Sequence, residues 1–241
     1  MDIEELKDQL EEKQVAEQLR ILTRIFPGKV LFTSSFGIED QVITHVIFVN
    51  NLPVKVATLD TGRLFPETYE VFDETLKRYQ KTIHVYFPDY SKVERMVTEK
   101  GPFSFYRSID DRMECCRIRK VLPLNRALNG MKIWISGIRA SQSDHRTNMD
   151  WLEYDTDKRL FKFYPLFRWS FEEVKEFIKL NQIPYNVLHD RGFISIGCQP
   201  CTRAIQPGQD FRAGRWWWEA DGTKECGCHI KCQILSDEHK R

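Results

Sequence analysis

Seven cysteines are spaced so that four can form one donor set and another can act as a nucleophile. Cys115 and Cys116 are adjacent, Cys198 and Cys201 form a Cys-x-x-Cys pair, and Cys226, Cys228 and Cys232 lie near the end of the chain. Two close pairs brought together by a fold supply a four-thiolate cage. Structural zinc is one occupant of such a cage, usually bound through spaced knuckles of two to four intervening residues. A cubane [4Fe–4S] cluster instead offers separate irons, so neighbouring cysteines can each take a corner. The adjacent pair favours the cluster, and Arg117, Arg119 and Lys120 place positive charge beside those thiolates. In the last group Lys224 and His229 flank Cys226, and a cation or an imidazole nearby favours the thiolate. Cys226 is the candidate nucleophile. Cys228 and Cys232 are either incidental or disulfide partners under oxidation.

Three further motifs carry groups suited to an anion. Ser34-Ser35-Phe36-Gly37-Ile38-Glu39-Asp40 follows an apolar run and leads into a helical one, so small residues at a helix start can turn main-chain N–H groups toward an oxyanion. It lacks the Gly-Lys-Ser/Thr ending of a Walker A loop. Asp60-Thr61-Gly62 ends the next apolar run, giving two neighbouring turns that together serve an anion and a ribose or base. Lys120, Arg139, Arg146, Arg212 and Arg215 are the candidate cations, the arginines being suited to a two-pronged grip on sulfate or phosphate. His45, His84 and His189 read as structural histidines with satisfied hydrogen bonds. Three consecutive tryptophans, from Trp216 to Trp218, cannot all face one way.

The elements that must position these groups alternate. Residues 2–26 have a helical period through Leu6, Leu10, Leu19 and Leu22, ended by Pro27-Gly28. Strands are expected at Lys29 to Thr33, Val54 to Leu59, Thr82 to Phe87, Lys132 to Ser136 and Phe161 to Leu166. Helices are expected from the Ser34 turn to about Asn50, from Pro66 to Tyr79 with proline at an early position, and from a Ser170 cap to about Leu180. Such alternation predicts an α/β, Rossmann-like, mainly parallel and doubly wound sheet. The chemistry-bearing turns then lie at the carboxyl ends of the strands. Residues 1–215 read as one nucleotide-binding domain that includes the cluster segments, and residues 216–241 as a flexible tail carrying the nucleophile.

Lys and Arg number 36 against 35 Asp and Glu, a net charge of +1, which gives no basis for nucleic-acid binding. No run has the length to cross a membrane and the first residues lack the apolar core of a signal peptide. A cytoplasmic protein is expected, in which an odd number of cysteines points to metal or redox chemistry and not to a disulfide framework.

Taken together, the chain resembles the assimilatory sulfonucleotide reductases, in particular the iron–sulfur adenylyl-sulfate (APS) reductases. The resemblance runs from about Lys29 to His229. It rests on Ser34-Ser35-Phe36-Gly37, Leu59-Asp60-Thr61-Gly62 with Phe65-Pro66-Glu67-Thr68-Tyr69, Cys115-Cys116-x-x-x-Lys120, Gly137-x-Arg139-x-x-Gln142-Ser143, Gly197-Cys198-x-x-Cys201-Thr202, Arg212-Ala-Gly-Arg215-Trp-Trp-Trp-Glu219 and Lys224-Glu225-Cys226-Gly227-x-His229. It implies a fold of the adenine-nucleotide alpha-hydrolase type and a [4Fe–4S] cluster on Cys115, Cys116, Cys198 and Cys201. The substrate site it implies comprises Ser34, Ser35, Gly37, Asp60, Thr61, Gly62, Lys120, Arg139, Arg146, Arg212 and Arg215. Cys226 and His229 are the implied catalytic pair, with thioredoxin or a glutaredoxin-like protein as reductant and a homo-oligomeric state. Relatives that use the 3′-phosphorylated substrate, PAPS, generally lack the four cluster cysteines, so APS is the expected substrate in sulfate assimilation and cysteine biosynthesis; PAPS or dual use is the alternative. An ATP-dependent thiolation or pyrophosphatase enzyme and a non-catalytic zinc adaptor are the more distant readings. Two positions depart from the pattern: Ala140 stands where many relatives have a second arginine, and Cys228 where an apolar residue is usual.

Overall fold

The computed structural model describes residues 2–219, apart from the side chains of Asp144 and His145. Its centre is a six-stranded sheet: β1 (Val30–Ser34), β2 (Lys55–Leu59), β3 (His84–Tyr86), β4 (Ile133–Ile135), β5 (Leu152–Asp155) and β6 (Leu160–Phe163). The order across the sheet is β3-β2-β1-β4-β6-β5. All neighbours are parallel except β5, which runs antiparallel to β6 at the edge. The sequence reading omits β5. Its four residues, Leu152-Glu-Tyr-Asp155, carry only a short signal, and the strand is held by its partner: Asp155 pairs with Leu160 in register and its carboxylate meets Lys162 Nζ at 2.7 Å.

Nine helices are found among the described residues: α1 (Ile3–Leu10), α2 (Val15–Ile25), α3 (Ile38–Val49), α4 (Pro66–Tyr79), α5 (Tyr90–Lys100), α6 (Ile109–Cys116), α7 (Leu122–Leu128), α8 (Asp144–Thr147) and α9 (Phe171–Leu180). The expected helix over residues 2–26 is therefore two. Glu12 takes a left-handed φ of 57° and breaks it, while Leu6, Leu10, Leu19 and Leu22 all still reach the same core. A common periodicity hid the corner. In α9 the Ser170 hydroxyl accepts from Glu173 N and the Glu173 carboxylate accepts from Ser170 N, a reciprocal cap.

Alternation along β1 sends Val30 and Phe32 to one face and Leu31 to the other. The first face packs on α1, α2, α3 and α9 through residues such as Val42, Ile47 and Val174. The second packs on α7 through Leu124, Ala127 and Leu128. A third, smaller core lies outside the sheet layers. It joins Met96, Phe105, Ile118 and Trp216 to Cys115, Cys198 and Cys201.

Between α6 and α7 the helical run does not stop. Arg117–Val121 forms a wider π-helical turn, and Pro123 supplies the cause. Proline has no N–H to return to the carbonyl of Arg119, and its ring crowds that carbonyl in a regular helix. Trp216 is only 1% exposed within the third core, and Glu219 closes a buried ion pair with Arg112 at 2.8 and 3.0 Å. The body thus continues through Glu219, past the boundary drawn at residue 215. No helix among the described residues is long and apolar enough to cross a membrane.

Candidate active site

Strand order reverses between β1 and β4, and the crevice at their carboxyl ends is where open α/β sheets take ligands. The turn after β1 is built by its own hydrogen bonds. Ser35 N and Oγ donate to Asp40 Oδ2 at 2.6 and 2.7 Å, and Phe36 N donates to Ser34 Oγ at 3.1 Å. Phe36 adopts a left-handed φ of 59°. Its buried ring stacks on Phe72 at 4.7 Å, which anchors the turn. Burial pushes the Asp40 carboxyl up to about 6 against the opposing effect of these hydrogen bonds. Gly137, after β4, closes the crevice from the other side. A Cβ there would sit 2.4 Å from Asp40 Oδ1, so no larger residue fits.

The resulting pocket is lined by Ser34, Ser35, Gly37, Thr61, Lys120, Arg146, Arg212 and Arg215, eight of the eleven residues expected at a substrate site. The other three lie behind its wall. Asp60 accepts from Gly62 N at 2.8 Å and from the Tyr69 hydroxyl at 3.0 Å, and so shapes the turn after β2, where Gly62 has a φ of 68°. Arg139 is 1% exposed; its Nε donates to Glu39 Oε1 at 2.9 Å and its Nη1 to Ser141 Oγ at 2.7 Å, with the rings of Phe171 and Phe211 beside it. Its guanidinium braces the wall. Arg212 and Arg215 are buried against the Trp216 ring. Gly197 makes room for this, since a Cβ there would come within 2.3 Å of Arg215 Nη2.

Several pocket residues escape sequence reasoning. Gln142 is buried with its amide fully engaged: Nε2 donates to Glu39 Oε1, and Oε1 accepts from Arg139 N and Arg146 Nη1. Only a fold that brings Glu39 and Gln142 together reveals that web. His189 also lines the pocket, contrary to its reading as a satisfied structural histidine. Neither ring nitrogen has a normal hydrogen-bond partner among the described residues.

Beside the pocket lies a small second cavity, walled by Cys115, Cys116, Cys198 and Cys201 together with Arg63, Phe105, Arg112, Arg119, Lys120 and Pro200. None of Cys115, Cys116, Cys198 and Cys201 is disulfide-bonded to another described residue. Cys115 and Cys116 end α6, while Cys198 and Cys201 flank a tight turn closed by Cys201 N donating to Cys198 O at 2.9 Å and Thr202 Oγ1 donating to the same carbonyl. Burial raises the Cys115 thiol, partly offset by Arg119, and pushes Cys201 up to about 12 with help from Cys198. Buried thiols surrounded by cations, with Arg119 Nε and the indole nitrogens of Trp216 and Trp218 all lacking partners, make a donor set for an anionic iron–sulfur group. The two cavities share a wall. Lys120 lines both, Thr61 lines the pocket while its Oγ1 lies 3.3 Å from Cys198 Sγ, and Arg119 Nη1 donates to Thr61 O at 2.7 Å. Cys226 and His229 lie outside the described residues.

Three comparisons bear on this geometry. The phosphoadenosine phosphosulfate reductase domain matches residues 29–204. An adenosine 5′-phosphosulfate reductase of Sinorhizobium fredii is 45% identical over 93% of this chain and 89% of its own. The crystal structure of a phosphoadenylyl-sulfate reductase from Candida auris superposes with a TM-score of 0.71 at 31% identity, covering 84% of this chain and 96% of that one. At 14% identity, an FMN adenylyltransferase of Candida glabrata has a TM-score of 0.55 over 86% of this chain and 68% of its own. That likeness concerns the fold alone, which is of the adenine-nucleotide alpha-hydrolase type.

Proposed function

The chain belongs to the phosphoadenosine phosphosulfate reductase family, and from that premise we propose that it is the enzyme that reduces APS to sulfite and AMP. One observation carries the reading: a cation-lined pocket and a four-thiol cavity meet at Lys120, which lines both, and at Thr61, whose Oγ1 in the pocket wall lies 3.3 Å from Cys198 Sγ. The substrate is a dianion joined through a phosphosulfate bond. The Ser34 hydroxyl and the main chain at Gly37 face its anionic part, Ser35 shapes the turn by donating to Asp40, and Lys120, Arg146, Arg212 and Arg215 surround it.

In the first step the Cys226 thiolate attacks the sulfur of APS. A bond forms between Cys226 Sγ and that sulfur, the bond from sulfur to the bridging oxygen breaks, and AMP leaves with the electron pair. Fixed cations aimed at the phosphate stabilise the charge that develops there, and removing such a group commonly costs about 10²–10³-fold in rate. In the second step a reductant dithiol of the thioredoxin type attacks Cys226 Sγ and releases sulfite. Its second thiol resolves the mixed disulfide, so the dithiol supplies both electrons. His229 orients the sulfo group or assists Cys226.

Cys115, Cys116, Cys198 and Cys201 would hold a [4Fe–4S] cluster, with Arg119 and Lys120 balancing its charge. When bound it supplies an electrostatic field and a rigid frame beside the pocket. Thr61 and Lys120 belong to both sites, so the chain itself couples the frame to the nucleotide.

A PAPS or dual-specificity reductase is the second reading, favoured by the 31% identity to the Candida auris enzyme. The deciding experiment exposes anaerobically purified protein to APS or PAPS without reductant and maps sulfo adducts by peptide mass spectrometry. An adduct on Cys226 from APS alone supports the first reading, one from both substrates the second, and none from either in iron-loaded protein overturns both.

A further inference from the structure

His189 sits in a single helical turn, Val187–Arg191, that is held at both ends. Asn186 caps it, its side-chain oxygen accepting from Leu188 N at 3.0 Å and its Nδ2 donating to Thr68 Oγ1 on α4 at 3.1 Å. Gly192 ends it with a φ of 83°, and Ile205 N donates to Gly192 O at 2.9 Å. The ring therefore has a fixed seat on the pocket wall. Yet both of its nitrogens are shielded from solvent and make no hydrogen bond of ordinary geometry among the described residues, the Phe193 main chain supplying only a looser contact. Withholding partners from a buried polar group costs about 1–3 kcal/mol, so native structures reserve such groups for a role. Burial holds the ring below its usual range and neutral; Glu39, at the start of α3, Asp190, in its own turn, and the Phe193 main chain oppose that without reversing it.

The anionic end of the pocket is the place where such a ring is useful. Glu39, which His189 feels, lies in the first turn of α3, directly after the Ser34–Gly37 turn. A half-turn of the imidazole about its last bond exchanges the positions of its ring nitrogens and ring carbons, because that torsion has two nearly equivalent settings. A nitrogen can then face the cavity while the Val187–Arg191 turn stays in place.

We infer that His189 is a substrate-contacting residue whose ring N–H donates to a phosphate oxygen of the bound adenine nucleotide. The inference rests on the proposed nucleotide chemistry of this pocket and adds a contact to it. A neutral donor suits this position: with Lys120 and three arginines already lining the pocket, it adds direction to phosphate binding without adding charge.

The test is equilibrium binding of AMP and of adenosine to the iron-loaded full chain by titration calorimetry, comparing wild type, His189→Gln and His189→Phe. Thermal melting of each variant checks folding. The expected result is AMP binding weakened by about tenfold or more in His189→Phe, the worth of one hydrogen bond to a charged group. His189→Gln, which keeps an N–H, should recover part of it, and adenosine affinity should be the same in all three. Equal losses for AMP and adenosine, or AMP binding that survives His189→Phe, would overturn the phosphate contact and leave the reductase reading standing. Failure of the wild type to bind AMP at all would instead remove the reading on which the inference rests.

Discussion

The proposed nucleotide pocket and the cysteine cavity share Lys120 as a wall residue and are completed in different ways. At the turn after β1 the chain answers its own polar groups: Ser35 with Asp40, and Glu39 with Arg139 and Gln142. Around the thiols it leaves them open, with Arg119 Nε, Trp216 Nε1 and Trp218 Nε1 unpartnered among the described residues and Cys115 and Cys201 pushed toward the neutral thiol. A turn satisfied internally is shaped before its ligand arrives, although elsewhere on the same wall Ser136 Oγ, Arg215 Nε and the His189 ring stay without partners among the described residues. A cavity of buried donors and desolvated thiols gains stability from whatever supplies acceptors and metal. The contrast teaches that two adjoining cavities of one protein can differ in how far the chain itself finishes them.

Removing a thiol should break the comparison most severely. Cys201→Ser is expected to lose most of its iron and sulfide, its visible absorption and its turnover, and to melt at a lower temperature than the loaded wild type. If Cys201→Ser retained full iron content, the cavity would not be the cluster site. Lys120 tests the shared wall. Lys120→Met should lower kcat/KM by about a hundredfold while iron content stays near that of the wild type, and Lys120→Arg should restore part of the loss. Normal kinetics in Lys120→Met would separate the two cavities functionally.

Glu219 tests the frame beneath the cysteines. Truncating it to alanine removes the carboxylate that pairs with Arg112, in a site where the two side chains are 7% and 4% exposed. Breaking a buried pair from one side typically costs about 3–5 kcal/mol, measurable as a shift in urea unfolding. The smallest effect belongs to Asp40, on the finished wall. Its folded-state pKa, about 6, lies above the ordinary 3.8, so between those values the native protein holds a proton that the unfolded chain has released. Stability from this group therefore falls as pH rises from about 4 to about 6, by at most about 3 kcal/mol. Urea titrations at the two ends of that window should show the slope in wild type and its absence in Asp40→Asn; an unchanged slope in the variant would assign it elsewhere.

What the sequence could reveal followed the range of the forces involved. The apolar runs of β1 to β4 and the cap at Ser170 are local signals, and their elements lie where local signals put them. The Ser34–Gly37 turn and the Cys-x-x-Cys pair are local as well. The edge strand β5 depends on pairing with β6, and the corner at Glu12 has neither glycine nor proline to mark it. The web of Gln142 with Glu39 became visible only through a contact between residues distant in sequence, and His189 as a pocket residue only through the fold. For Arg139 the residue type suggested an anion ligand, while its pairing with Glu39, 100 positions away, was not legible in the sequence.

The π-helical turn at Arg117–Val121 sets a phase between two bearings. On its amino-terminal side Cys115 and Cys116 face the thiol cavity; on its carboxy-terminal side Leu124, Ala127 and Leu128 face the sheet. A regular helix advances about 100° per residue, so excising one residue from the wide turn would rotate one bearing against the other by about that angle. Either the cysteines would swing away from Cys198 and Cys201, or the apolar stripe would leave the sheet. The wide turn thus acts as a one-tooth gear, and single-residue deletions across Arg117–Val121 should disengage cluster loading even though every cysteine remains.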